Sequence, residues 1–158
     1  MPDSIAQTAF DLAARPGFLI RRLHQIHVAL FIEECAGFDV TPVQYSIMSA
    51  VQSRPGLDQA RLGEEVGVDR ATLANVVGRL EARGLVRRRT GAADRRLRLV
   101  EITDHGALLL GQMEAPARRA HARTIAALPP AQRRLFTHAL ASLVDAGNTH
   151  GRAPMRLG

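Results

Sequence analysis

The residues best equipped for chemistry are arginines crowded into one short stretch. From Arg79 to Thr103 the chain reads RLEARGLVRRRTGAADRRLRLVEIT. Eight of its first twenty residues are arginine (Arg79, Arg83, Arg87, Arg88, Arg89, Arg95, Arg96 and Arg98), against only Glu81 and Asp94. The guanidinium is always charged, and its planar fork grips phosphates and guanine edges bidentately. A segment this basic suits a polyanion with grooves, and double-stranded DNA is the partner it points to. A second group lies nearer the start: Arg21, Arg22, His24 and His27, with Tyr45 and Met48 following. Arg21, His24 and His27 are spaced by three and share a broad helical face. Cations and a phenol beside an apolar wall of Phe18, Leu23 and Met48 would suit a small aromatic carboxylate, its ring on the wall and its carboxylate on arginine. The competing reading is equally open: the arginines bind acids across a subunit interface and the histidines are merely packed.

These groups need elements to hold them, and the punctuation of the chain supplies the outline. Residues 1–15 read as a short extension, closed by Pro16-Gly17. Residues 18–36 carry apolar positions at helical spacing on more than one face, the pattern of a helix that packs against two things. Thr41-Pro42-Val43-Gln44 is a capping box that opens a helix to about Ser53. Asp58 and Asp69 cap two short helices that end at Gly67 and Gly84. Leu85–Thr90 and Leu97–Thr103 are candidate strands around the tip Gly91-Ala92-Ala93-Asp94. Thr103 caps a long helix to about Leu128, in which Pro116 is expected to place a kink. Pro129-Pro130 starts a last helix, and residues 150–158 read as frayed. The expected fold is mainly α with a small β-wing, divided into residues 1–40, 41–103 and 104–158 of one continuous unit.

Residues 59–78, QARLGEEVGVDRATLANVVG, fit a helix-turn-helix template. Gly63 is small where two helices cross, and Gly67 stands where the turn favours a positive φ. Leu62, Val66, Val68, Leu73 and Val76 point inward. Arg70, Thr72, Asn75 and Arg79 are left facing outward, where such a second helix reads the major groove. The basic two-stranded hairpin that follows completes a winged arrangement.

The composition closes off other classes. Hydrophobic residues make up 46% and aromatics only 4%, so the core must be aliphatic. The net charge is +6, and all 21 basic residues are arginine. One cysteine, Cys35, leaves no internal disulfide framework and reads as a buried, inert thiol. No apolar run approaches the ~18 residues of a membrane span, and no signal peptide is evident, so a cytoplasmic setting is expected. The sequence carries no Gly-rich phosphate loop, nucleophile elbow or clustered metal motif. The pair His24 and His27 alone is a weak metal signal. The expectation is a protein that is not an enzyme and needs neither cofactor nor metal.

At this point a family resemblance emerges. DRRLRLVEITDHG (94–106) resembles the wing of MarR-type regulators: an acid and an arginine at the tip, a strand, then a Thr-led helix. RATLANVVGRLEARGLVRR (70–88) resembles their recognition helix and first wing strand. RPGFLIRRLHQIHVALFIEE (15–34) is similar to repressors of aromatic-acid breakdown, especially those of nicotinate pathways. The resemblance implies a ligand-responsive homodimeric repressor that interlocks through its first, fifth and sixth helices. It would bind a pseudo-palindromic operator and be released by a small aromatic acid such as a hydroxynicotinate. Arg96 would enter the minor groove, with Asp94 steadying its guanidinium. Arg95 would serve phosphate or minor groove, and Arg70, Thr72 and Asn75 would face the major groove. Two other classes fit the same residues: a sequence-tolerant architectural DNA binder and a winged-helix protein-interaction module.

Overall fold

Among the described residues, four helices start where a side chain accepts an orphan amide, at Thr41, Asp58, Asp69 and Thr103, and two more start on a proline. The computed structural model of the chain describes residues 11–151, so the expectations for residues 1–10 and 152–158 lie outside the described residues. After a single 3-10 turn at Leu12–Ala14, α1 spans Pro16–Glu34. Pro16 therefore begins this helix instead of breaking the chain before it. At the first helical position its missing N–H costs nothing and its φ is already helical. Helix α2 covers Pro42–Ser53 behind the complete Thr41–Gln44 capping box. Helices α3 (Gln59–Val66) and α4 (Arg70–Ala82) are capped by the carboxylates of Asp58 and Asp69.

The α3–α4 turn is built by two glycines. Gly67 takes φ +65°, and a Cβ at Gly63 would lie 2.9 Å from the Val68 carbonyl. Strands β1 (Val86–Thr90) and β2 (Arg98–Ile102) pair antiparallel, with Val86 opposite Ile102 and Arg88 opposite Val100. A bridge between Asp58 and Leu99 ties the α2–α3 connection to β2. Leu97 falls outside the strand that was expected to begin with it. Its N–H is taken by Asp94 O and its carbonyl by Gly91 N–H, which makes it part of the tip turn. Helix α5 runs unbroken over Asp104–Thr124 with Pro116 inside it, and stops short of Leu128. Helix α6 spans Pro130–Gly147.

The apolar side chains form two cores. Ile47, Met48, Val51, Leu62, Leu73, Val77, Leu80, Leu85, Val86 and Val100 make the first, joined by Leu110 of α5. Phe31, Cys35, Val40, Met113, Ala117 and Ala120 make the second, between α1 and α5. Tyr45 and Leu109 touch both. Outside, Glu34 takes Arg119 at 2.7 Å and Arg123 at 2.8 Å, lacing α1 to α5. These two hydrogen bonds hold the Glu34 carboxyl below its ordinary pKa.

The seat of α5 on the wing is a close one. Thr103 Oγ1 donates toward Gly84 O at 2.6 Å and accepts the Gly106 N–H at 3.0 Å. A Cβ at Gly106 would stand 2.0 Å from the Leu85 carbonyl oxygen, a backbone atom that cannot swing aside. Gly106→Ala is therefore expected to cost about 1–3 kcal/mol or more. A urea titration should show a lower midpoint at unchanged slope, and an unchanged midpoint would refute the close seat.

Candidate nucleic-acid interface and effector groove

Helix α4 buries Leu73, Val77 and Leu80 and exposes the opposite side. At roughly 100° per residue, Thr72, Asn75 and Arg79 fall within about 60° of one another, facing away from that apolar stripe. All three are exposed. Arg70 is exposed too, but it stands off this arc, at the first turn of the helix. Thr72 is more constrained than the sequence suggested. Its hydroxyl donates to Asp69 Oδ2 at 2.7 Å and its N–H to Oδ1 at 3.0 Å. With its proton engaged, the outward Thr72 surface offers a methyl group and a lone pair. The same bonds, first the Thr72 amide and then its hydroxyl, hold the Asp69 carboxyl below its ordinary range.

The arginines of the hairpin sort into two sets. Arg87 and Arg89 share Glu101, at 2.8 and 3.4 Å. Arg88 grips Glu81 of α4 through its side chain at 2.6 Å and its own N–H at 2.9 Å, so the wing is fastened to α4. Those contacts, the Arg88 side chain foremost, lower the Glu81 carboxyl. Arg98 reaches Thr90 at 3.3 Å. Arg83 donates to the carbonyls of Asp39 and Phe38, binding the end of α4 to the loop after α1. Among the described residues, Arg70, Arg79, Arg95 and Arg96 form no ion pair. Arg95 and Arg96 occupy the exposed wing tip. Asp94 does steady Arg96, but through the backbone: its Oδ1 accepts the Arg96 N–H at 2.9 Å. The guanidinium expected to lean on Asp94 forms no ion pair with it, and Arg96 is exposed.

The second expected site is only partly assembled. A groove of about 760 Å³ opens between α1, α5 and α6. Arg22, Leu23, His24, Ile26 and His27 of α1 line it, opposite His121 and Thr124 of α5, Ile125 just after it, and Phe136 and Leu140 of α6. Arg21 stays outside, its guanidinium 5.4 Å from the Phe18 ring centroid. Tyr45 and Met48 correct the expected apolar wall. Met48 is fully sealed in the first core, and Tyr45 packs its ring edge-on against Phe31 at 5.6 Å. Helix α2 turns both residues toward the interior, so neither faces the groove. Sequence reasoning missed His121 and Thr124, which lie about ninety residues further along the chain. Their spacing by three on α5 was the only local hint.

Within the groove the His27 ring stacks on His121 at 4.8 Å and meets Thr124 Oγ1 through Nδ1 at 2.8 Å. Arg22 is held by Gln25 at 2.7 Å. Burial first, then the charges of His121 and His24, lower the His27 pKa. Protonation is thus disfavoured in the folded chain relative to the unfolded one, whose histidine titrates near 6.5. The stabilising contribution is complete above about pH 6.5 and is lost as pH falls toward the folded value. Urea midpoints between pH 8 and pH 5.5 should drop less for His27→Gln than for the parent chain; identical drops would refute this burial effect.

Comparison with known proteins places the chain. The model of the MarR family matches residues 38–97, which hold α2 to α4, β1 and the wing tip. The HTH-type transcriptional repressor NicR of Pseudomonas putida is 31% identical over 91% of this chain and 91% of its own length. The PcaV transcriptional regulator of Streptomyces coelicolor, solved in complex with its natural ligand, aligns with a TM-score of 0.81 and 35% identity, covering 87% of this chain and 96% of PcaV. BpsR of Bordetella bronchiseptica, solved to explain regulation of its DNA binding by 6-hydroxynicotinic acid, aligns with a TM-score of 0.82 and 29% identity, over 86% of this chain and 97% of BpsR. The winged helix, the basic hairpin and a near full-length match to a known repressor agree: this chain belongs to the MarR family of DNA-binding transcriptional regulators, which are not enzymes.

Proposed function

We propose that the chain is a homodimeric repressor that binds a pseudo-palindromic operator and releases it when a small aromatic acid occupies the α1–α5–α6 groove. One observation carries the DNA half of this reading. Among the described residues from Arg70 to Arg98, the side chains of Arg70 and Arg79 of α4 and of Arg95 and Arg96 at the wing tip are engaged by no internal group, while Arg83, Arg87, Arg88, Arg89 and Arg98 are held by acids, carbonyls or a hydroxyl. Arg95 and Arg96 serve the minor groove and flanking phosphates, and Thr72, Asn75 and Arg79 face major-groove edges, with Arg70 on phosphate. Phosphate contacts supply most of the affinity, and base contacts supply the choice of sequence.

The exposed apolar surface supports the dimer. None of the eighteen residues of α6 is buried, and Leu135 and Leu143 are 69% and 65% exposed. Leu19, Ile20 and Ile26 of α1 and Leu108 of α5 are exposed as well. Apolar helix faces of this kind mark an association surface. Interlocking of α1, α5 and α6 with those of a second copy would cover them and set the two α4 helices about one DNA turn apart, roughly 34 Å. The partner would also narrow the groove, whose volume lies within the ~300–1,000 Å³ of small-molecule sites. An aromatic acid would lay its ring against Leu23 and Ile26 and its carboxylate on Arg22. The regulation of BpsR's DNA binding by 6-hydroxynicotinic acid supports a pyridine carboxylate such as a hydroxynicotinate. To release DNA, the effector must bind two dimer states unequally.

The decisive experiment is a mobility shift on the DNA upstream of the protein's own gene, repeated with a panel of aromatic acids. Retarded DNA that is freed by one of the acids is the expected result, with Arg22→Ala blocking release but not binding. A monomer that shifts no duplex at low salt would sink the proposal. Within the interface, Arg96→Ala is expected to weaken every duplex similarly and to flatten the salt dependence. Asn75→Ala should instead change base preference at one operator position, by about 1–3 kcal/mol for a bidentate contact. A binding-site selection returning the parent consensus from the Asn75 variant would count against that role.

A further inference from the structure

The polar end of the groove contains a hydrogen-bond relay whose direction can be worked out. Thr124 Oγ1 lies 2.8 Å from the Ala120 carbonyl oxygen and 2.8 Å from His27 Nδ1. A hydroxyl has one proton. If Thr124 gives it to Ala120 O, His27 must supply the second bond from its own Nδ1–H, and both contacts are hydrogen bonds. If Thr124 points its proton at Nδ1, the contact with Ala120 O loses its hydrogen. The first arrangement keeps one more bond, so the relay places the His27 proton on Nδ1. A neutral ring then carries a bare lone pair on Nε2, and neutrality is favoured by burial and by the neighbouring His121 and His24. Among the described residues Nε2 has no hydrogen-bond partner, and His27 lines the groove.

We propose that His27 Nε2 is the acceptor that sets effector specificity: it selects aromatic acids bearing a ring hydroxyl or a pyridone N–H over the same acids lacking that donor. This rests on the groove being the effector site. A carboxylate on Arg22 treats both members of such a pair alike. The donor acts only at Nε2, where the unsubstituted acid strips water from the ring nitrogen and returns nothing. The discrimination expected is about ten- to a hundredfold in Kd.

The test uses the full-length protein, free of DNA, and calorimetry with two matched pairs: 6-hydroxynicotinate with nicotinate, and para-hydroxybenzoate with benzoate. The parent protein should bind the donor-bearing member of a pair more tightly by that factor. His27→Phe, which keeps a stacked ring without nitrogens, should bring the pair within about twofold. Thr124→Val, which cuts the relay and frees the ring to take its other tautomer, should narrow the gap as well. Nitrogen-15 spectra of the histidine rings give a second readout that needs no ligand. The parent His27 should be protonated at Nδ1 and Thr124→Val should shift the proton toward Nε2. A parent proton on Nε2, equal affinities within both pairs, or a preference that survives His27→Phe overturns the proposal. Should no member of either pair bind, the effector reading of the groove falls and this proposal falls with it, which sets that outcome apart from equal binding, where only the role of His27 is lost.

Discussion

Eight arginines within twenty residues repel one another, and two acids and a few neutral oxygens engage five of them, Arg83, Arg87, Arg88, Arg89 and Arg98. Glu101 sits between Arg87 and Arg89, Glu81 holds Arg88, and Arg83 is spent on the carbonyls of Phe38 and Asp39. Exposed ion pairs of this kind are worth about 0–1 kcal/mol each, so they add little as glue. Their consequence is spatial. By engaging the arginines of the stem and tying β1 to α4, they leave the unengaged guanidinium groups at the tip and on α4. The proposed DNA contacts are what remains after the structural arginines have been accounted for.

The second constraint is that one chain has more apolar surface than it can cover. The first core is closed on itself, and the second is a thin seam between α1 and α5. Helix α6 contributes nothing buried to either. Helix α5 belongs to both, with Leu110 in the first core and Met113, Ala117 and Ala120 in the second. A single rod thus joins the winged lobe to the groove in which His121 and Thr124 stand. In the proposed regulator, occupancy of the groove and the spacing of the two recognition helices share that rod.

Much of the fold was legible because capping and turn chemistry are local. Thr41, Asp58, Asp69 and Thr103 cap the four helices expected of them, and Gly67 adopts the positive φ its position requires. Pro16 misled because proline ends one helix and begins another by the same missing donor. Leu97 misled because its alternation fits a strand, while the hydrogen bonds to Asp94 and Gly91 claim it for the turn. In the groove, His24 and His27 were readable from helical spacing, but the arginine spaced with them, Arg21, stands outside and Arg22 lines the wall. Tyr45 and Met48 were not separable from them, since periodicity says that a residue lies on an apolar face and not which core that face meets.

The sequence by itself determined the inventory: a helix-turn-helix with a basic wing, an aliphatic core, an excess of positive charge, and a family resemblance strong enough to name. Those properties follow from residue types within a few positions of one another, where backbone preferences and charge act directly. Only the tertiary structure decided which arginines are already spoken for, that Asp94 grips the Arg96 backbone rather than its guanidinium, and that His27 meets Thr124 across 97 residues of chain. Such pairings depend on distances between helices and strands that meet only after folding, and no local pattern encodes which of several equivalent charges will find a partner.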